Sequence, residues 1–287
     1  MEAGQSVRPS PIAGQWYTSD PRRLASQVDQ YIQNAKLPDI SGTIVAVMAP
    51  HAGHRYSGPV AGYAFAALRG LKPEVVAIVS PMHYPYPEPL LTTTHLAYAT
   101  PLGEIPVDQQ TVNALDLALK NELGFGLTRI ANDPEHSLEI ELPFLQRALE
   151  LPFKLLPVMV RDQSDFVMQR LGRALASVLT NFPTLLVAST DLSHFYPQSI
   201  AHKLDSEMLR QVEAFDPAGV IRVEQAGMGF ACGRGALASV MWAAKALGAN
   251  HAQVLNYATS GDVIGDLTQV VGYGAAIFTN QSVNVTN

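Results

Sequence analysis

The chain has 287 residues, 47% of them apolar and 15% charged, with a formal net charge of −6. That composition belongs to well-buried globular proteins and excludes a disordered chain. It also speaks against a nucleic-acid binder, which needs clustered Lys and Arg to displace counterions from phosphates, and against an anionic membrane surface as partner.

A single cysteine, Cys232, permits no internal disulfide and no Cys-based structural zinc site. Residues 1–17 show no apolar core behind basic residues, and no apolar stretch reaches the roughly 18 residues of a membrane span. A cytoplasmic protein is therefore expected. The triplets starting at Asn280 and Asn284 carry little meaning as glycosylation sites without a secretory route, and residues 280–287 read as a flexible tail.

In chain order, residues 21–35 predict a helix, with Asp20 as N-cap and Pro21 at the first helical position. Residues 43–50 (TIVAVMAP) read as a buried strand, followed by a small-residue-rich helix over 58–70. A strand at 75–81 precedes the stretch 90–107, which lacks a helical period and reads as additional extended strands. A strand at 154–160 leads to a helix over 165–181, where Phe166, Leu171, Leu175 and Leu179 share roughly one face. A strand at 184–190, a nearly all-apolar helix over 235–248 and a strand at 269–278 complete the pattern.

The strands do not alternate polar and apolar residues, as expected of strands covered on both faces. Strands alternating with helices predict an α/β fold, a three-layer αβα sandwich with a mixed central sheet. No linker, compositional break or repeat divides the chain, so one domain over 1–287 is expected.

In open α/β sheets, ligands bind beyond the carboxyl ends of the strands. Strand 43–50 runs into His51 and His54, strand 75–81 into His83, and strand 184–190 into Asp191 and His194. Any one of these histidines is more readily a structural hydrogen-bonder than a ligand. Three strands delivering imidazoles to the same kind of end point instead to a metal centre, since neutral imidazole is the commonest metal ligand. His95, His202 and His251 have no such placement.

Other chemistries lack their signatures. There is no H-E-x-x-H, no G-x-S-x-G and no Walker loop. The glycines of GMGFACGRG (227–235) make a weak nucleotide fingerprint, better read as a tight loop before a buried helix, so no nucleotide cofactor is expected. Cys232 sits in that loop. It is either a thiolate favoured by the helix N-terminus or a small buried hydrophobe. Glu135, His136 and Ser137 suit a helix cap, whereas Glu139, set among Leu138, Ile140 and Leu142, must be paired or functional. Asp191 suits the orientation of an imidazole, and His194 suits acid–base work.

Seven segments together resemble the Memo family, also called AmmeMemoRadiSam system protein B. They are VRPSPIAGQWY (7–17), APHAGHRYSGPVAGYAF (49–65), SPMH (80–83), EHSLEIELPFL (135–145), STDLSHF (189–195), ACGRGAL (231–237) and SGDVIGDLTQVVGYGAAIF (260–278). The family's fold is similar to that of class III extradiol ring-cleaving dioxygenases. The resemblance implies His51, His83 and Cys232 as metal ligands, His194 as acid–base residue with Asp191 beside it, and His136 and Glu139 in the pocket. His54 stands where the family usually carries Tyr or Trp.

The leading expectation is a metal-dependent redox enzyme holding Fe(II) or copper, with positions open to substrate or O₂. His194 would move protons, Asp191 would orient it, and His54, Tyr56, His136 and Glu139 would shape the pocket. One alternative is a non-catalytic module that binds a small molecule or peptide, or handles metal; another is a metal-dependent hydrolase. Radical-SAM and AMMECR-type proteins are partners that the resemblance implies.

Overall fold

A computed structural model describes residues 6–150 and 152–282. The strands are β1 (Val7–Arg8), β2 (Thr43–Ala49), β3 (Val75–Pro81), β4 (Leu90–Thr93), β5 (Ala97–Thr100), β6 (Gly103–Pro106), β7 (Thr128–Ile130), β8 (Lys154–Val160), β9 (Thr184–Ser189), β10 (His194–Tyr196), β11 (His251–Thr259) and β12 (Val270–Asn280). The helices are α1 (Pro21–Asn34), α2 (His54–Ala66), α3 (Gln109–Leu123), α4 (Leu142–Ala148), α5 (Asp165–Leu179), α6 (Gln198–Glu213), α7 (Pro217–Gln225), α8 (Arg234–Ala246) and α9 (Ser260–Ile264). A 3-10 turn, Glu139–Glu141, precedes α4. Of the expected tail 280–287, Asn280 closes β12, and residues 283–287, with the Asn284 triplet, lie outside the described residues.

The strands read from the sequence all appear, and the stretch 90–107 resolves into β4, β5 and β6. Asp20 caps α1 as expected, its side chain accepting from the Arg23 amide at 2.8 Å. Helix α2 starts at His54, four residues before the expected position, so Pro59 lies inside it and not at its start. Its close fit against α1 explains the glycines. A Cβ at Gly58 would sit 2.6 Å from the Tyr31 ring, and one at Gly62 would strike the Tyr31 carbonyl.

Four parallel strands, β2, β9, β3 and β8, form the sheet centre. Antiparallel β12 flanks them beside β2, and antiparallel β4 flanks them beside β8. Helices α1, α2 and α4 pack together on one side, and α3, α5, α6, α7 and α8 form the other layer. The protein is thus a three-layer αβα sandwich with a mixed sheet. Its buried apolar residues form one cluster. No helix among the described residues is long and apolar enough to cross a membrane.

The parallel register has a functional consequence. Ala49 pairs with Ser189 and Val79 with Ala188, so β2, β9 and β3 end at one edge of the sheet. Every loop that follows them opens over the same space.

A second, three-stranded sheet joins β1 to β5 and β6. It brings Arg8, only 1% exposed, into the protein. Its Nε and Nη2 reach Asp133 Oδ2 and Oδ1 at 3.0 and 2.9 Å, and Nη1 reaches Glu139 Oε2 at 2.7 Å. Nη2 also donates to the carbonyls of Asp133 and Glu135. Burial works against the charge, yet the Asp133 hydrogen bonds and the surrounding carboxylates outweigh it and hold the guanidinium protonated. Arg8 therefore staples the loop at 131–139 to the N-terminal strand.

Replacing Arg8 by Met leaves Asp133 and Glu139 as uncompensated buried charges. We expect a loss of about 3–5 kcal/mol of stability, read from urea unfolding. A loss below about 1 kcal/mol would show that water repairs the site.

Candidate metal centre

His51 follows β2, His83 follows β3, and His136 sits in the loop that Arg8 staples. A nitrogen from each of the three lies within 4.8 Å of the others, an arrangement that can hold a metal ion. The rings of His83 and His136 stack at 4.6 Å, and Trp16 stacks on the far face of His136 at 4.0 Å.

Two of the imidazoles are hydrogen-bonded from behind through Nδ1, and the third has its Nδ1 beside a carboxylate. His51 Nδ1 lies 3.0 Å from Ser189 Oγ. His83 Nδ1 and His136 Nδ1 lie 2.9 and 3.2 Å from the same oxygen, Glu135 Oε1. A carboxylate can only accept, so His83, hydrogen-bonded to it, carries its proton on Nδ1 and keeps Nε2 as a lone pair, while His136 Nδ1 makes an electrostatic contact. The backbone reinforces this. Glu135 accepts the amides of His83, His136 and Ser137 at 2.6, 3.0 and 2.9 Å.

The electrostatics follow from burial. Desolvation, then the neighbouring imidazoles, hold His51 well below the ordinary histidine range. Burial pushes His136 down to about 4, with Glu135 opposing and His83 assisting. Burial alone would raise Glu135, but hydrogen bonding from His83 and the nearby imidazoles overcome it and bring the carboxyl down to about 2. His51 and His136 are thus held neutral near an ionised carboxylate. Ser189 Oγ also lies 2.6 Å from Glu141 Oε1, and burial lifts Glu141 well above the carboxylate range.

A cavity of about 560 Å³ opens over these rings. Asp191, His194, Tyr56 and Cys232 line it alongside the three histidines. Cys232 Sγ lies 3.1 Å from His51 Nε2 and 3.6 Å from the Asp191 carbonyl. Burial, and then the Asp191 carboxylate, push its thiol pKa up despite the α8 N-terminus nearby.

Two residues expected on the pocket wall lie behind it. Glu139 accepts from Arg8, Ser10 and Tyr17, all at 2.7 Å, which makes it the paired carboxylate its apolar neighbours demanded. His54 faces away from the cavity. Its Nε2 donates to the Ile140 carbonyl at 3.0 Å and its ring stacks on Tyr17, so it fills the α2–α4 contact where an aromatic would serve.

The expected pairing of Asp191 with His194 is also replaced. Asp191 Oδ1 accepts the amides of His51 and Ala52, at 2.7 and 3.3 Å, and so fixes the turn after β2. Burial raises Asp191 to about 7 against those two bonds. His194 Nδ1 donates instead to the Leu192 carbonyl at 2.8 Å, leaving Nε2 as its free nitrogen.

Sequence reasoning missed Asp205, whose carboxylate accepts the Ser193 amide at 2.8 Å and the Tyr257 hydroxyl at 2.7 Å. A Cβ at Gly272 would land on that carboxylate, so the glycine is obligatory. Glu135 was visible only as a capping residue. The one available signal was its adjacency to His136, since its link to His83 spans 52 positions.

An αβα sandwich whose parallel strands deliver imidazoles into one cavity defines the class: an α/β protein with a histidine group that could hold a metal ion. The profile of the Memo-like proteins matches residues 8–277. A MEMO1 family protein of Nitrosopumilus maritimus is 35% identical, over 95% of this chain and 99% of its own. Another, from Methanopyrus kandleri, is 35% identical over 93% and 97%, and one from Thermotoga maritima is 33% identical over 93% and 97%. The chain belongs to the Memo family, whose fold is that of the class III extradiol ring-cleaving dioxygenases.

Substituting Glu135 by Gln preserves size but removes the charge beside both rings and leaves one acceptor oxygen where the carboxylate accepts His83 Nδ1–H and three backbone amides. Metal affinity should fall about 10–100-fold in chelator competition while the far-UV CD spectrum stays unchanged. Unaltered affinity would show that Glu135 does not orient the rings.

Proposed function

We propose that this protein is a metal-dependent redox enzyme of the dioxygenase-like kind, holding iron or copper through His51, His83 and His136, with Cys232 as an adjacent sulfur donor. The observation that carries the reading is the convergence of three imidazoles, two of them hydrogen-bonded from behind through Nδ1 and the third beside the same carboxylate as His83. The donor set fits such an ion. Neutral nitrogen with a nearby sulfur suits iron, copper or zinc, whereas magnesium and calcium demand oxygen.

When bound, iron or copper would supply a Lewis-acid centre able to exchange electrons with a substrate or O₂. The chain's own residues would do the rest. His194, with Nδ1 tied to Leu192, presents Nε2 to the cavity and would take up or return a proton there. Asp191 fixes the turn that carries His51, and Trp16 and Tyr56 would shield the floor from bulk water.

The test is elemental analysis of anaerobically purified protein. Iron or copper should approach one atom per chain, and His51→Ala, His83→Ala and His136→Ala should each lower occupancy roughly tenfold or more. Cys232→Ser should weaken retention of copper most, because a thiolate prefers soft metals. Metal content indifferent to all three histidine substitutions would sink the proposal. Turnover of an ester or amide that proceeds equally well without O₂ would favour a hydrolase instead.

A further inference from the structure

The cavity over the histidines is polar at its floor and apolar at its mouth. Among the described residues that line it, none is Lys or Arg. Away from the histidines, Trp16, Tyr56, Phe195, Ile264, Val271 and Tyr273 dominate its lining, and the other polar side chains there are uncharged. The only acid of the lining, Asp191, is buried at the floor with its oxygen committed to backbone amides.

The mouth is a built structure. The side-chain amide of Gln198, at the start of α6, donates to Thr259 Oγ1 and Asp262 Oδ1 at 2.9 and 3.0 Å, and its backbone amide donates to the Leu267 carbonyl at 3.0 Å. These bonds tie the segment carrying Phe195 to the segment carrying Ile264. On those two lips, Phe195 is 67% exposed and Ile264 is 48% exposed. Large apolar side chains held open beside a cavity are characteristic of a surface that meets an apolar ligand.

The charge pattern restricts that ligand. A charged group part-way up the cavity would lose water and find no side chain of opposite sign except at the floor. We propose that the substrate is an amphiphile with one metal-seeking polar head and an uncharged apolar body, and that Phe195 and Ile264 select the body. The inference rests on the metal reading of the floor for the head, and on the upper walls alone for the body.

The experiment uses the zinc-loaded Trp242→Phe protein, in which Trp16 is the remaining tryptophan, and follows its fluorescence. The probes are acetohydroxamate, octanohydroxamate and the ω-carboxylated counterpart of octanohydroxamate. Octanohydroxamate should bind at least about tenfold tighter than its carboxylated counterpart. Phe195→Ala and Ile264→Ala should each weaken octanohydroxamate roughly threefold to tenfold and leave acetohydroxamate and zinc content unchanged. Phe195→Arg should shift the preference toward the carboxylated probe.

Equal or tighter binding of the carboxylated probe, no binding of octanohydroxamate, or indifference to both alanine substitutions would overturn the inference. Acetohydroxamate binding that survives removal of zinc would break the metal reading alone, because the ratio between the two long probes still reports the walls.

Discussion

Glu135 has to satisfy four donors at once, the His83 Nδ1–H group and three backbone amides, with the His136 ring beside the same oxygen. A carboxylate in that position orients His83 and His136 simultaneously, and it can do so only while its own loop is immobile. Arg8 provides that immobility by holding Asp133, Glu139 and the Glu135 carbonyl. The N-terminal strand, far from the parallel sheet in sequence and in layer, is therefore part of the apparatus that fixes the site.

Such a network is costly to bury, since ion pairs withdrawn from water seldom add net stability over well-packed apolar groups. Its value is geometric. Several polar atoms around the three rings have a partner that also holds a neighbouring loop. Ser189 holds His51 from the end of β9, Asp191 holds the His51 turn, and Asp205 holds the turn that presents His194. Hydrogen bonds thereby cross-link a site assembled from four separate loops, which is what imidazole donors need if their lone pairs are to converge.

The fold was largely legible because burial on both faces leaves runs of aliphatic residues, and five such runs marked the sheet. Helices α3, α6 and α7 and strand β11 were not read, since their mixed polar sequences carry weaker periodicity than the central elements. The site was half legible. His51 and His83 stand just past β2 and β3, His194 opens β10 shortly after β9, and the rule that ligands gather at strand ends singles them out. The roles of Arg8, Glu135 and Asp205 were invisible because their partners lie 125, 52 and 12 residues away with no pattern in the spacing. Glu139 and His54 illustrate the opposite error. Both belong to recognisable motifs, yet packing turns them to the back of the wall, where a buried carboxylate needs Arg8 and an imidazole can replace an aromatic ring.

The central claim is that three imidazoles, positioned by Glu135 and Ser189, meet at one ion. X-ray absorption at the zinc edge of the zinc-loaded protein tests it most directly. The account predicts imidazole nitrogen at about 2.0–2.1 Å, with the nitrogen count falling by one in His136→Ala. A shell of oxygen alone, or a spectrum unchanged by that substitution, would contradict it.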